Sequence, residues 1–198
     1  MKKTMKRLSA LLIGMMIALS SAMAVYADEG YTYNYDYWGD IQYSPDAYEV
    51  SGVYSAVDFG LETGLKTPSG LFVYEDMIYI CDTGNNRILE IQRTGSQTLE
   101  LIRVIDSFKG GEGPETFSSP QDVADTDDGY IFIADTNNSR ILKLDMDLNY
   151  VMEFTKPVDA TFDQDLSFLP YKLAIDTAGR VYCVATNVNK GLIKFEAD

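Results

Sequence analysis

Cys81-Asp82-Thr83-Gly84-Asn85-Asn86-Arg87-Ile88 and Ala134-Asp135-Thr136-Asn137-Asn138-Ser139-Arg140-Ile141 are the two stretches that decide the fold. Their aspartates lie 14 and 15 residues after Pro68 and Pro120. Asp, Gly and Asn tolerate left-handed dihedrals and bond to nearby amides, so each stretch marks a tight reversal between two strands. Five residues after the aspartate an arginine returns past the turn, where a guanidinium can hold a carboxylate through two parallel hydrogen bonds. The expected partner of Arg87 and Arg140 is the repeat's own aspartate or a neighbouring backbone carbonyl. A second use of the same groups (Asp82, Asn85, Asn86, Arg87, Asp135, Asn137, Asn138 and Arg140) is polar recognition on a binding face.

Working outward, three segments align, led by Pro68, Pro120 and Pro170, which stand 52 and 50 residues apart. In the first, the apolar runs Leu71–Tyr74, Met77–Cys81, Ile88–Ile91 and Leu99–Ile105 predict four antiparallel strands. The second copies them with Asp122–Ala124, Tyr130–Ala134, Ile141–Leu144 and Tyr150–Phe154. The third stops after its third strand, at Phe195, with Ala185 where the aspartate would stand and Lys190 in place of the arginine. A period near 50 residues made of short apolar runs and turns indicates propeller blades, since solenoid repeats of that length would show helical periodicity. The predicted class is therefore all-β, an incomplete β-propeller of three blades, each a four-stranded antiparallel sheet.

The two motifs and their spacing from the leading prolines resemble the NHL repeat, over roughly residues 47–198. The chain as a whole resembles extracytoplasmic NHL-repeat proteins of Gram-positive bacteria. That resemblance implies blades at about 66–117, 118–167 and 168–198.

Ahead of the repeats, Lys2, Lys3, Lys6 and Arg7 precede an apolar run from Leu8 to Leu19 and small residues up to Ala27. This is the pattern of a signal peptide over 1–27. It predicts export, a secreted or cell-surface location, and no membrane span in the mature chain. Removing it takes four of the 16 positive charges and none of the 30 negative ones, leaving a net charge of −18. An acidic surface repels nucleic acid and anionic headgroups, so neither is an expected partner. Cys81 and Cys183 fall in apolar strands of different repeats and read as two buried thiols.

Residues 28–46 form a Tyr-rich segment in which Tyr31, Tyr33, Tyr35 and Tyr37 alternate before Trp38. An extended strand would set these rings on one face, suited to packing on a blade or stacking on a sugar. Ser44-Pro45-Asp46 then turns the chain toward Tyr48–Val57, which reads as an outer strand preceding the first repeat.

The chain has no histidine. Histidine zinc sites, Ser-His-Asp triads and the metal-dependent lyase of the NHL type, which relies on histidine ligands, are therefore not expected. Asp145-Met146-Asp147-Leu148-Asn149 begins like a calcium loop, but Tyr150 and Lys156 stand where Gly and Glu are required, so a hairpin is expected. Asp125-Thr126-Asp127-Asp128-Gly129 also reads as a hairpin turn. No catalytic residue, metal ligand or cofactor is assigned. The expectation is a non-catalytic scaffold that recognises a protein, peptide or glycan through its loops and through Tyr33, Tyr35, Tyr37 and Trp38. The alternative is a lactonase-like hydrolase with carboxylate-held calcium. Three blades are too few to close, so the chain is expected to be part of a longer propeller or to form a homodimer.

Overall fold

The computed structural model describes residues 32–44, 50–96, 98–158, 162–186 and 191–196. The expected signal peptide, the Pro45-Asp46 turn and Lys190 lie outside them. The described chain contains strands and short 3-10 turns and no α-helix. It divides into two units, Met1–Val50 and Ser51–Asp198.

In the first unit, β1 (Thr32–Tyr35) pairs antiparallel with β2 (Ile41–Ser44), placing Tyr33 opposite Tyr43. The expected single strand through Tyr37 is not formed. Asp36 ends it, because its Oδ1 accepts the Trp38 and Asp40 amides, both at 2.9 Å. Gly39 completes the reversal at φ +86°. Tyr37 and Trp38 therefore sit on an exposed turn, ring edge to ring face at 4.9 Å, and not in line with Tyr35.

In the second unit, β3 (Gly70–Tyr74), β4 (Met77–Asp82), β5 (Arg87–Arg93) and β6 (Leu99–Ile105) form the first four-stranded sheet in that order. A hairpin of β7 (Ser107–Gly110) and β8 (Gly113–Thr116) follows. The second sheet is β9 (Pro120–Asp125), β10 (Tyr130–Asp135), β11 (Arg140–Asp145) and β12 (Tyr150–Phe154). The third has β13 (Leu169–Ile175), β14 (Val181–Thr186) and β15 (Leu192–Phe195). These are the blades of an incomplete β-propeller, with β3, β9 and β13 as neighbouring inner strands.

Apolar residues facing both ways along the middle strands hold the sheets against each other. Between the first and second blades, Tyr79, Cys81, Ile88 and Ile105 pack on Val123, Ile131, Ile133, Leu142 and Leu144. Between the second and third, Phe132 and Ile141 pack on Phe168, Val181 and Cys183. The β7–β8 hairpin was not legible as strand, but its Phe108 stacks on Phe117 at 5.5 Å, and both rings are buried in the first of these cores.

Each joint also carries a polar lock. Thr83 Oγ1 donates to the Pro120 carbonyl and Thr136 Oγ1 to the Pro170 carbonyl, both at 2.6 Å. At the inner strands, Asp122 accepts the Leu173 amide at 2.9 Å, and Lys172 Nζ contacts both Asp122 Oδ1 and the Ser69 carbonyl. One amine thus touches all three blades. A Cβ on Gly70 would lie 2.7 Å from the Gln121 carbonyl oxygen and 2.9 Å from Asp122 Oδ1, so glycine is what allows this approach.

The outer strand expected within Tyr48–Val57 is absent over its described residues, 50–57. Asp58 instead caps a turn, its Oδ2 accepting the Ser55 amide and hydroxyl at 2.7 Å each. The turn seats Phe59, Leu61 and Leu65 against Ile78, Ile80, Leu89 and Ile91.

Candidate active site

The motif turns are built inward. Asp82, with no exposure, accepts the Lys66 amide at 2.6 Å through Oδ1, while its Oδ2 accepts Arg87 Nε at 2.7 Å and Asn85 Nδ2 at 2.8 Å. Asp135 repeats the arrangement with the Ser118 amide at 2.7 Å, Arg140 Nε at 2.9 Å and Asn138 Nδ2 at 2.8 Å. Arg87 also reaches the Thr63 carbonyl, and Arg140 reaches Glu115 and Glu153. Asn86 accepts the Ser119 amide, and Asn137 donates to the Ser119 hydroxyl. Each aspartate therefore anchors the linker entering its own blade. The motif residues form two clusters, one per turn, with partners inside the protein. Tyr35, Tyr37 and Trp38 are exposed in the other unit, where Tyr33 lies on β1.

A cleft of about 600 Å³ opens at the opposite ends of the inner strands, lined from all three blades. The first blade gives Phe72 and Tyr74, the second Asp125–Asp128, Phe132 and Lys143, and the third Ile175–Gly179. The turns that frame it are held by their own side chains. Thr126 donates its hydroxyl to Asp128 Oδ1 at 2.6 Å and its amide to the Tyr130 carbonyl, and Gly129 takes φ +81°. In the third blade, Asp176 accepts the Ala178 and Arg180 amides at 3.0 Å each, Arg180 Nε at 2.7 Å and the Tyr182 hydroxyl at 3.1 Å.

Asp125 differs from the other acids of this rim. Burial raises its carboxyl above the ordinary carboxylate range, against the opposing pull of the Tyr79 hydroxyl and the Thr126 amide. Tyr79 donates to Asp125 Oδ2 at 3.0 Å across the joint between first and second blades, and burial raises that phenol too. Its hydrogen bond to Asp127 pushes Tyr74 up to about 12. Lys143 Nζ lies 3.9 Å from the centre of the Tyr130 ring, a cation held on a π face. A cleft carboxyl displaced by burial, beside phenols that keep their protons and one cation, is a setting for proton transfer. Sequence reasoning read Asp125 only as a turn residue. The usable signal was that turns rich in Asp recur at the same place in consecutive repeats.

Among the described residues no three carboxylates or thiols approach closely enough to hold a metal ion. Asp145 Oδ1 accepts the Asp147 and Asn149 amides and Oδ2 accepts Asn149 Nδ2, which makes that stretch a closed hairpin.

No family model matches the chain. A Caenorhabditis elegans protein named as a peptidyl-alpha-hydroxyglycine alpha-amidating lyase is 27% identical over 133 residues, covering 66% of this chain and 37% of that protein. Among solved structures, a Bacteroides uniformis protein assigned as a 6-phosphogluconolactonase aligns with TM-score 0.49 at 12% identity, over 84% of this chain and 46% of its own. Virginiamycin B lyase from Staphylococcus aureus aligns with TM-score 0.36 at 11% identity, over 85% and 63%. The chain thus spans little more than a third of the curated relative and under half of the first of these structures. The lyase relative corrects the expectation that the chain is not an enzyme: its similarity in sequence runs to a protein named for catalysis, not to a binding scaffold. Among the described residues, no helix is long and apolar enough to cross a membrane.

Proposed function

We propose that the chain forms three NHL-like blades of an exported propeller enzyme that opens a C–O or C–N bond beside a hydroxyl or carbonyl group, as a lyase or a lactone hydrolase. The carrying observation is the similarity to the amidating lyase, which coincides with a cleft holding the burial-shifted Asp125. Both reaction types need a base for one O–H proton and stabilisation of charge on the atom left behind. Asp125 is assigned as the base, accepting the proton of water or of a substrate hydroxyl. Lys143 is assigned to the developing negative charge, and Phe72 and Phe132 to the apolar wall. The leader-like pattern of residues 1–27 supports export.

The test incubates the purified full chain with a peptidyl-α-hydroxyglycine and with a panel of sugar and alkyl lactones, following products by mass spectrometry. Turnover of one class is expected, and Asp125→Asn should lower kcat by roughly 100-fold or more, the range for loss of a general base. No turnover of either class would reject the reading.

A further inference from the structure

The joint between the first and second blades departs from the joint between the second and third at one pair of positions. Three residues before Asp82, Asp135 and Ala185 stand Tyr79, Phe132 and Tyr182. The residues opposite Ile78, Ile131 and Val181 across the inner hairpin of each blade are Val73, Asp125 and Ile175. In the second joint these places are filled by Phe132 and Ile175, the one buried in the apolar core and the other packed against it. In the first they hold Tyr79 and Asp125, whose side chains meet in a hydrogen bond of 3.0 Å. The repeat therefore has an apolar solution at this point, and the first joint replaces both halves of it at once. Packing alone does not call for that exchange, since burying a carboxyl costs free energy that an isoleucine does not.

Tyr79 has no exposure, and its hydroxyl donates to Asp125 Oδ2 while the Thr126 amide donates to Oδ1 at 2.8 Å. An ionised carboxylate has about four lone-pair sites, so one donor on each oxygen leaves each free to accept another from the cleft that Asp125 lines. Burial and the charges of Asp125 and Glu90 keep the phenol protonated, as a donor to the ionised carboxylate must be. Glu90 stands opposite Tyr79 on β5 and is itself paired with Arg103 of β6. The other titratable groups facing Asp125 are Asp127 on its own turn and Tyr74 of β3.

We propose that Tyr79 is the positioning residue of the cleft: its hydroxyl, reaching from the first blade, and the Thr126 amide fix the two oxygens of Asp125 so that their remaining lone pairs are presented to substrate. The proposal rests on the assignment of Asp125 as the base. It adds that the base is set from across a joint, by a residue that does not touch substrate. The hydroxyl favours the charged carboxylate, so its removal raises the pH at which Asp125 ionises and loosens the orientation of the oxygens.

The test compares the purified full chain with Tyr79→Phe, which copies the residue of the second joint, and with the double variant Tyr79→Phe/Asp125→Ile, which copies both. The Asp125 carboxyl is followed by carbon NMR across pH, its signal assigned by its loss in Asp125→Asn. Tyr79→Phe should fold, raise the Asp125 titration midpoint, shift the acid limb of kcat/KM upward with it, and lower kcat roughly tenfold above both midpoints. The double variant should recover in urea unfolding the stability that Tyr79→Phe loses, and should have no turnover. An unmoved Asp125 midpoint in folded Tyr79→Phe would overturn the proposal. Failure of Tyr79→Phe to fold, or a further loss of stability in the double variant, would overturn it equally by making the pair a packing element. Turnover with an unmoved midpoint rejects the positioning role and keeps the enzyme reading; a moved midpoint with no turnover of any substrate rejects the enzyme reading and keeps Tyr79 as the group that sets Asp125.

Discussion

Asp135 has no exposure and three partners, one of which ties the linker ahead of its blade, so its loss would strand Arg140 and free the Ser118 amide together. Asp135→Ala should cost roughly 3–5 kcal/mol in urea unfolding, the range for breaking a buried pair. Arg180→Ala, at a half-exposed pair, should move the urea midpoint far less, since solvent screens the pair. Asp125 makes a pH-dependent contribution of the opposite sign to that of Asp176. Its folded pKa is raised by burial, so the stability it contributes is full below the ordinary carboxylate value of 3.8 and is lost as pH rises through the folded value. Asp176 is lowered: burial raises it, but the Arg180 amide and guanidinium and the other donors outweigh that, so its contribution is present above 3.8 and lost as pH falls. Asp125→Asn should therefore flatten the decline of stability on the alkaline side of pH 3.8, read from urea midpoints across pH. The Asp–Arg pairing was legible in the sequence because both partners lie five residues apart on one turn. The environment of Asp125 was not, because the Tyr79 hydroxyl that marks it comes from a strand 46 residues away.

The strands of the blades were legible as elements because Val, Ile, Leu and aromatic runs alternate with turn residues, as Ile131–Ala134 and Ile141–Leu144 show. Ser107–Thr116 was not, since its glycines and charges carry no strand signal and only Phe108 is buried within the two strands. The stretch Tyr48–Val57 misled in the other direction: its place ahead of the first repeat suggested an outer strand, whereas Asp58 holds Ser55 in a turn. Between elements, the threonine locks should be separable from the apolar joints. Thr136→Val keeps the shape and removes the donor to the Pro170 carbonyl, and should lower stability by about 1 kcal/mol or somewhat more, because the carbonyl it leaves is buried. Gly70→Ala should cost roughly 1–3 kcal/mol by forcing β3 from the Gln121 carbonyl oxygen of β9, with both values read from chemical denaturation. Cys81 and Cys183 lie in the faces between blades, where burial pushes the Cys183 thiol up to about 12 and raises Cys81 as well. Both should resist alkylation at pH 8 until denaturant separates the blades, a time course that mass spectrometry can follow.

At the scale of the whole molecule, three blades were legible from the proline spacing taken with the short apolar runs and turns between the prolines, while the direction of their joints required coordinates. In both described joints the threonine hydroxyl donates forward, to the carbonyl of the blade that follows. The one-way threonine lock has a consequence for how such a protein can change size. Tandem duplication of a unit of some 50 residues would deliver a ready connector at each end, so the array can lengthen by whole units without inventing new contact chemistry. An insertion of any other length within a strand would misalign donor from acceptor, confining tolerated growth to the surface turns.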